Sequence, residues 1–266
     1  MDISDKYRGF IIDLDGVIYL DGKLLPFSKN FVSKLAKEDK RYVFLTNDSI
    51  LPSNSYSKLL NKLGIPCSEN QVITPIKSFE EKINNTKKTK VKVLVIASKK
   101  IKTYLKKNKK INVIDPKKNF KNADIVLVAG SREFNYIDLM YACLAIQNGS
   151  KLFATSIDNT YPTRLGNVPA TGSIIAAIEK ATGAKVENLG KPSKNIFRLA
   201  LNSLNIKKSE ILVIGDNLNT DIRGSYQLQL DSALVLTGKT KKKDLKKSDY
   251  LAKPTYIAKN LKVISG

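Results

Sequence analysis

The sequence predicts an α/β protein: a parallel-sheet unit interrupted by a second, smaller α/β block. Three observations carry this. Short unbroken apolar runs recur, as in Phe10-Ile11-Ile12, Tyr42-Val43-Phe44-Leu45 and Ile211-Leu212-Val213-Ile214. Segments with helical spacing alternate with them. The pattern of the first seventy-five residues also returns, in the same style, after about residue 189. Strands buried on both faces read as continuous apolar runs, and joining them in parallel requires crossover helices.

The first run ends at Asp13-Leu14-Asp15-Gly16. Val17 to Leu20 follows, then Asp21-Gly22, a tight-turn dipeptide. Residues 28 to 38 place Phe31 and Leu35 one turn apart, with Ser28 as the expected N-cap. The run Tyr42 to Leu45 stops at Thr46-Asn47. A helix over about 53–63 is expected to end at Gly64. The middle block offers four short strands, Val93–Ile96, Ile111–Ile114, Ile125–Val128 and Leu152–Ala154. It also offers a helix from Tyr136 to Gln147 and another from about Ser173 to Ala181 that closes at Gly183. Gly190-Lys191-Pro192-Ser193 then leads into a helix over about 194–204, capped by Ser193. The run Ile211 to Ile214 ends in Gly215-Asp216, Thr220 is expected to cap a short helix after Asp221, and Ala233 to Leu236 closes at Thr237-Gly238.

Composition narrows the function. The 266 residues carry a net charge of +22, from 46 basic and 24 acidic side chains. Only six of the basic residues are arginines, and the lysines fall in diffuse runs such as Lys99-Lys100 and Lys241-Lys242-Lys243. A dedicated nucleic-acid surface favours arginine forks and interleaved aromatics, so these lysines read as a solvated surface and no nucleic-acid partner is expected. No run reaches the roughly 18 apolar residues a membrane helix needs. The N-terminal acids Asp2 and Asp5 do not suit a signal peptide. Two distant cysteines, Cys67 and Cys143, fit a reducing compartment, so the expected location is cytoplasmic. Histidine is absent, which removes His-based triads, His-ligated zinc and phosphohistidine chemistry.

The chemistry is expected where strands end. Asp13 and Asp15, Thr46 and Asn47, and Asp216 with Asp221 all follow apolar runs, and ligands bind beyond the carboxyl ends of parallel strands. Several aspartates gathered there repel one another unless a cation joins them. Mg²⁺, which takes oxygen ligands and pairs with phosphate, suits such a set. Lys191 adds a point charge for an anionic substrate.

Asp13-Leu14-Asp15-Gly16-Val17, Thr46-Asn47, Gly190-Lys191-Pro192 and the run Gly215 to Asp221 resemble the four ordered motifs of the haloacid dehalogenase superfamily. The Lys191 and Gly215 stretches, with Ala154 to Asp158 and Pro169 to Gly172, resemble its NagD-like, p-nitrophenyl phosphatase branch. The resemblance spans nearly the whole chain. It implies a Rossmann-like core over residues 1–75 and 185–266, and an inserted C2-type cap over 76–184. It implies a Mg²⁺-dependent phosphatase of small phosphorylated metabolites. Asp13 would be the nucleophile and Asp15 the acid and base. Thr46 and the backbone of Asn47 would hold the phosphoryl oxygens, and Lys191 would bind there too, neutralising charge on them and on Asp13. The Asp13 and Asp216 carboxylates and the Asp15 backbone carbonyl would ligate the metal, with Asp221 behind them. Asp21-Gly22 would be the tip of a flap beside the nucleophile. Asp158, Asn159 and Arg164 of the cap would face substrate, and a homodimer through the cap is a further expectation. Two departures concern substrate rather than chemistry: Asp48 follows Asn47, where many relatives have a second asparagine, and Ile157 precedes Asp158, where proline is common. The rival readings are a phosphotransferase or mutase of the same superfamily and a basic nucleic-acid-binding protein on the same scaffold. The second would be expected to lose a catalytic carboxylate, and none is lost.

Overall fold

The computed structural model describes residues 2–163, 165–246 and 252–265. The chain forms two compact units. One holds the residues up to 46, 53–73 and those from 191 on, and the other holds 47–52 and 74–190.

The first unit is built on a six-stranded sheet with every pairing parallel, in the order Tyr256–Ala258, Asp231–Val235, Ile211–Gly215, Gly9–Ile12, Arg41–Leu45, Val72–Ile73. Gly9 to Ile12 is buried throughout, as its all-apolar run requires. Helix Ser28–Lys37 turns Phe31, Val32 and Leu35 inward. Helix Lys194–Leu204 buries Ile196, Phe197, Ala200 and Leu204, a stripe at helical spacing. Phe197 is fully buried, which contributes on the order of 2–3 kcal/mol. Ser193 caps this helix by accepting from Asn195 N, as expected. Ser28 does not act as a cap: its hydroxyl donates to Val17 O at 3.2 Å, and the residue before the helix is Phe27 at φ 71°. Asp21 and Gly22, at φ 49° and 72°, turn a hairpin between Tyr19–Leu20 and Lys23–Leu24.

The second unit has a five-stranded parallel sheet, ordered Glu187–Asn188, Lys151–Ala154, Ile125–Val128, Val91–Ile96, Ile111–Val113. Side chains alternate across it. Val91, Val93 and Val95 join Ile76, Phe79 and Ile101 in one cluster, while Leu94 and Ile96 join Ala142, Ala145 and Ile175 in another. Helices therefore cover both faces: Pro75–Asn84 and Lys99–Leu105 on one, Tyr136–Gln147 and Thr171–Thr182 on the other. A hairpin of Thr160–Thr163 and Gly166–Pro169 precedes the last of these.

The division differs from the expected one at three places. Residues 74–75 and 185–190 belong to the second unit, because Glu187–Asn188 pairs with Phe153–Ala154. Residues 47–52 also belong to it, although they sit between two parts of the first. Among the described residues no helix is long and apolar enough to cross a membrane.

Candidate active site

Three adjacent strands of the first unit end in the predicted residues. Asp13 follows Gly9–Ile12 and its amide still donates to Ile214 O at 2.9 Å. Asp216 follows Ile211–Gly215, and Thr46 follows Arg41–Leu45, its amide donating to Ile73 O at 3.2 Å. Asp13, Thr46, Lys191, Asp216 and Asp221 are all buried. Lys191 joins them: its ammonium lies 2.7 Å from Asp13 Oδ1 and 2.7 Å from Asp221 Oδ1. Asp13 Oδ1 also accepts from the Leu14 amide at 2.7 Å.

Local backbone explains how these carboxylates come so close. Leu218–Ile222 is a wide π turn, and it brings Asp221 back toward its own strand. Asp221 Oδ2 accepts from the Thr220 hydroxyl at 3.1 Å and the Asn217 amide at 3.3 Å. Thr220 thus steadies a carboxylate, whereas the expected cap role falls to Asn217, whose side chain accepts from Asn219 N. A side chain at Gly215 would overlap Asp221. The loop Thr237 to Thr240 wraps Asp216: the Lys239 amide donates to Asp216 Oδ2, and the Thr240 amide donates to Asp216 O at 3.0 Å. The Thr237 hydroxyl donates to Gly16 O. Gly16, at φ 78°, and Gly238 both lie against the Asp216 carboxyl where a Cβ would collide. The sequence gives Gly16, Thr237, Gly238 and Lys239 no part in holding Asp216. The Thr-Gly after an apolar run was a signal, but one shared with many turns.

Burial, and then the charge of Asp221, raise Asp13 well above the ordinary carboxylate range, against the opposing pull of Lys191. The same two causes raise Asp216 to about 6, opposed by the Lys239 amide and Lys191. Burial pushes the Lys191 ammonium down, but the Asp13 and Asp221 carboxylates outweigh it and hold it protonated above its ordinary value. One cation among three buried carboxylates leaves an excess of negative charge. Asp13, Asp216 and Asp221 each offer an oxygen, all within 4.8 Å of one another. An all-oxygen, buried and net-negative set fits a hard divalent cation.

The other predicted residues are placed differently. Asp15 is exposed, in an isolated bridge with Tyr19. Asn47 lies in the second unit, where its amide Nδ2 donates to Asp158 Oδ2 at 3.2 Å. Asp48 accepts from the Ile50 amide at 3.0 Å in a local turn. Asn159 is exposed, and its backbone carbonyl accepts from Ala170 N and from the Ser173 hydroxyl. Arg164 lies outside the described residues.

The chain is similar to known proteins over nearly its whole length. A haloacid dehalogenase-like hydrolase pattern matches residues 10–109, and a HAD-hydrolase-like pattern matches 188–264. The chain is similar to the 5'-nucleotidase YutF of Bacillus subtilis (strain 168), 32% identical over 255 residues that cover 96% of each chain. A crystal structure of a 4-nitrophenylphosphatase from Thermotoga maritima matches with a TM-score of 0.88 at 31% identity, covering 98% of this chain and 97% of that one. A glycerol phosphate phosphatase from Mycobacterium tuberculosis, solved in complex with magnesium, matches with a TM-score of 0.89 at 26% identity, covering 99% and 78%. The chain belongs to the haloacid dehalogenase-like hydrolases. Within that family it is a phosphomonoester hydrolase of the metal-dependent kind, on the side of the 4-nitrophenylphosphatases.

Proposed function

We propose that this phosphatase works through Asp13 as nucleophile, with Mg²⁺ held by the carboxylates of Asp13 and Asp216 and the backbone carbonyl of Asp15, and with Asp221 behind them. The observation that carries this reading is the Lys191 ammonium, 2.7 Å from both Asp13 and Asp221 inside a buried three-carboxylate cluster. When bound, the cation neutralises the excess negative charge and keeps Asp13 ionised. An Asp13 oxygen attacks phosphorus in line, and the ester P–O bond breaks as an aspartyl-phosphate forms. Asp15 gives its proton to the leaving alcohol, then takes one from the water that cleaves the aspartyl-phosphate. Release of phosphate returns Asp13 to its starting state. In this reading Thr46 and the Asn47 backbone hold the phosphoryl oxygens and Lys191 neutralises their charge, so charge is matched before reaction begins.

The second unit serves as the cap in this reading, with Asp158, Asn159 and Arg164 as its candidates for substrate contact. The substrates are small phosphomonoesters, with nucleotides and sugar or polyol phosphates the leading classes given the relatives' activities. Two cysteines far apart in the chain, Cys67 and Cys143, suit the cytoplasm. A homodimer through the second unit is supported by helix Tyr136–Gln147, which carries no lysine or arginine and exposes Tyr136 at 74% and Ile137 at 48%. The decisive test is phosphate release across a panel of phosphomonoesters, with and without EDTA, for wild type and Asp13→Asn. Activity is expected to vanish with either treatment, and activity that survives both would sink the mechanism.

A further inference from the structure

The sheet of the second unit has an opening in its outer edge. Strand Ile111–Val113 lies along Val91–Ile96, pairing Val91 with Ile111 and Val93 with Val113. The last ladder bond runs from the Ile114 amide to Val93 O at 3.0 Å. Along a paired strand, successive residues turn their amides and carbonyls to opposite sides. Lys92 O and Ile96 O accept from Asp124 N and Ala129 N, on the side of strand Ile125–Val128. Val95 therefore turns its N–H and C=O to the other side, just beyond Ile114. The next donor to Val95 O would be the amide of residue 116, which is a proline and has no N–H. The chain leaves the sheet there for the short helix Pro116–Asn119, with Asp115 Oδ1 accepting from Lys117 N at 3.0 Å. Val95 is only 6% exposed, yet among the described residues its N–H and C=O have no backbone partner on that side.

A cavity of about 290 Å³ opens at this gap. Helix Lys99–Leu105 and the residue after it bring Lys102 and Lys106 to its wall from one face of the sheet. Helix Tyr136–Gln147 brings Asp138 and Tyr141 from the other. Asp115 adds a second carboxylate, and Val113, Ile114 and Pro116 add an apolar wall. Among the described residues, the Lys102 and Lys106 ammoniums and the Tyr141 hydroxyl make no hydrogen bond or ion pair. Asp138 uses Oδ2 for the Asn135 amide and side chain, and Asp115 uses Oδ1 for Lys117 N, so each keeps an oxygen for another donor. Charge of both signs thus lines one cavity without cancelling inside it.

We propose that this cavity is a binding site for a free α-amino acid with an apolar side chain. A strand residue meets its neighbour through one donor and one acceptor on the same side. A free amino acid carries that same pair, as an ammonium and a carboxylate on one carbon. Its ammonium donates to Val95 O and to the Asp115 and Asp138 carboxylates. Its carboxylate accepts from the Val95 amide and the two lysines, and the charge strengthens each bond. Its side chain lies against Val113, Ile114 and Pro116. An anion alone would face two carboxylates, and a cation alone two ammoniums, so a zwitterion matches the lining where neither does. The site lies wholly within the second unit and does not rest on the roles proposed for Asp13 and its neighbours.

The test is calorimetric titration of the full-length protein with L-leucine, L-valine and L-methionine. Saturable binding of at least one is expected. The N-acetyl derivative and the amide of that amino acid each lack one of the two charges, and each should bind about tenfold more weakly or worse. Replacing Lys102 and Lys106 together by alanine should weaken the amino acid by about tenfold or more, and so should Asp138→Asn. An unchanged melting temperature shows that each variant keeps its fold. If the alanine pair does not, Lys102→Gln with Lys106→Gln keeps most of both stems and removes only the charges. No saturable binding of any of the three amino acids would overturn the proposal. Equal binding of the N-acetyl derivative would make the cavity an anion site, equal binding of the amide would make it a cation site, and either result rejects the zwitterion. Binding that both sets of variants leave untouched would place the ligand elsewhere and reject this cavity.

Discussion

The two sheets are both parallel but differ in strand order, and they end differently at their carboxyl edges. In the first unit the central strands run out into Asp13, Thr46 and Asp216. In the second they run out into Ala97-Ser98, Ala129-Gly130 and Thr155-Ser156. The first edge gathers charge in a set of carboxylates that fits a cation. The second carries small and hydroxyl side chains, and these bind a piece of the protein's own chain, Asn47–Pro52. A parallel sheet leaves a place for something beyond its strand ends, and the residues set there decide whether a ligand or a loop fills it.

The comparison can be broken most sharply at Asp13. Asp13→Asn keeps shape and removes the proposed nucleophile, so phosphate release should fall by at least about 10³-fold while melting temperature is kept or rises. The melting temperature is the informative half: relief of carboxylate repulsion is expected only at the charged edge.

Lys191→Met comes next. It leaves Asp13 and Asp221 facing each other without their shared cation, and stripping one partner from a buried pair costs about 3–5 kcal/mol. Urea unfolding of the metal-free protein at about pH 8 should show a loss of that size, and a smaller loss at about pH 5, where carboxyl protonation relieves it.

The charged edge should also impose a pH dependence that the neutral edge cannot. Asp216 is raised to about 6 from 3.8. Between those values the folded chain keeps a proton that the unfolded chain has lost, so stability falls as pH rises through the window, and the whole penalty is present above it. Asp13, raised in the same sense, extends the fall upward. With no histidine in the chain, ordinary side chains add little titration there. The rise in melting temperature on adding Mg²⁺ should therefore be larger at about pH 7.5 than at about pH 5, and equal rises at both would count against a carboxylate metal site.

The smallest effect belongs to the neutral edge. Ser49→Ala leaves the Gly130 amide without its acceptor and should cost about 1–3 kcal/mol, with a loss independent of pH and Mg²⁺ in the same unfolding assay.

Much of this was legible before the structure. Phe10–Ile12, Tyr42–Leu45, Val93–Ile96 and Ile211–Ile214 are strands because unbroken apolar runs of that length suit little else, and the polar residues that end the core runs marked the site. Val72–Ile73, Glu187–Asn188 and Tyr256–Ala258 were not legible. Strands of two or three residues carry no periodicity, and a neighbouring strand's hydrogen bonds create them. The cap roles of Ser28 and Thr220 were misjudged because a hydroxyl at a helix start has competing partners, here Val17 O and Asp221, that only folding supplies.

By itself, then, the sequence determined the order of the longer strands and helices and the family, and it singled out Asp13, Lys191, Asp216 and Asp221, which the structure gathers in one buried cluster. Tertiary structure alone decided how they pair. Lys191 bridges Asp13 and Asp221 across separations that no local pattern encodes, and Asn47, one residue from Thr46, belongs to a different unit. Local order follows from chain-neighbour chemistry. Pairing of distant charges and the seating of a short segment depend on which buried polar groups still need partners once the sheets have formed.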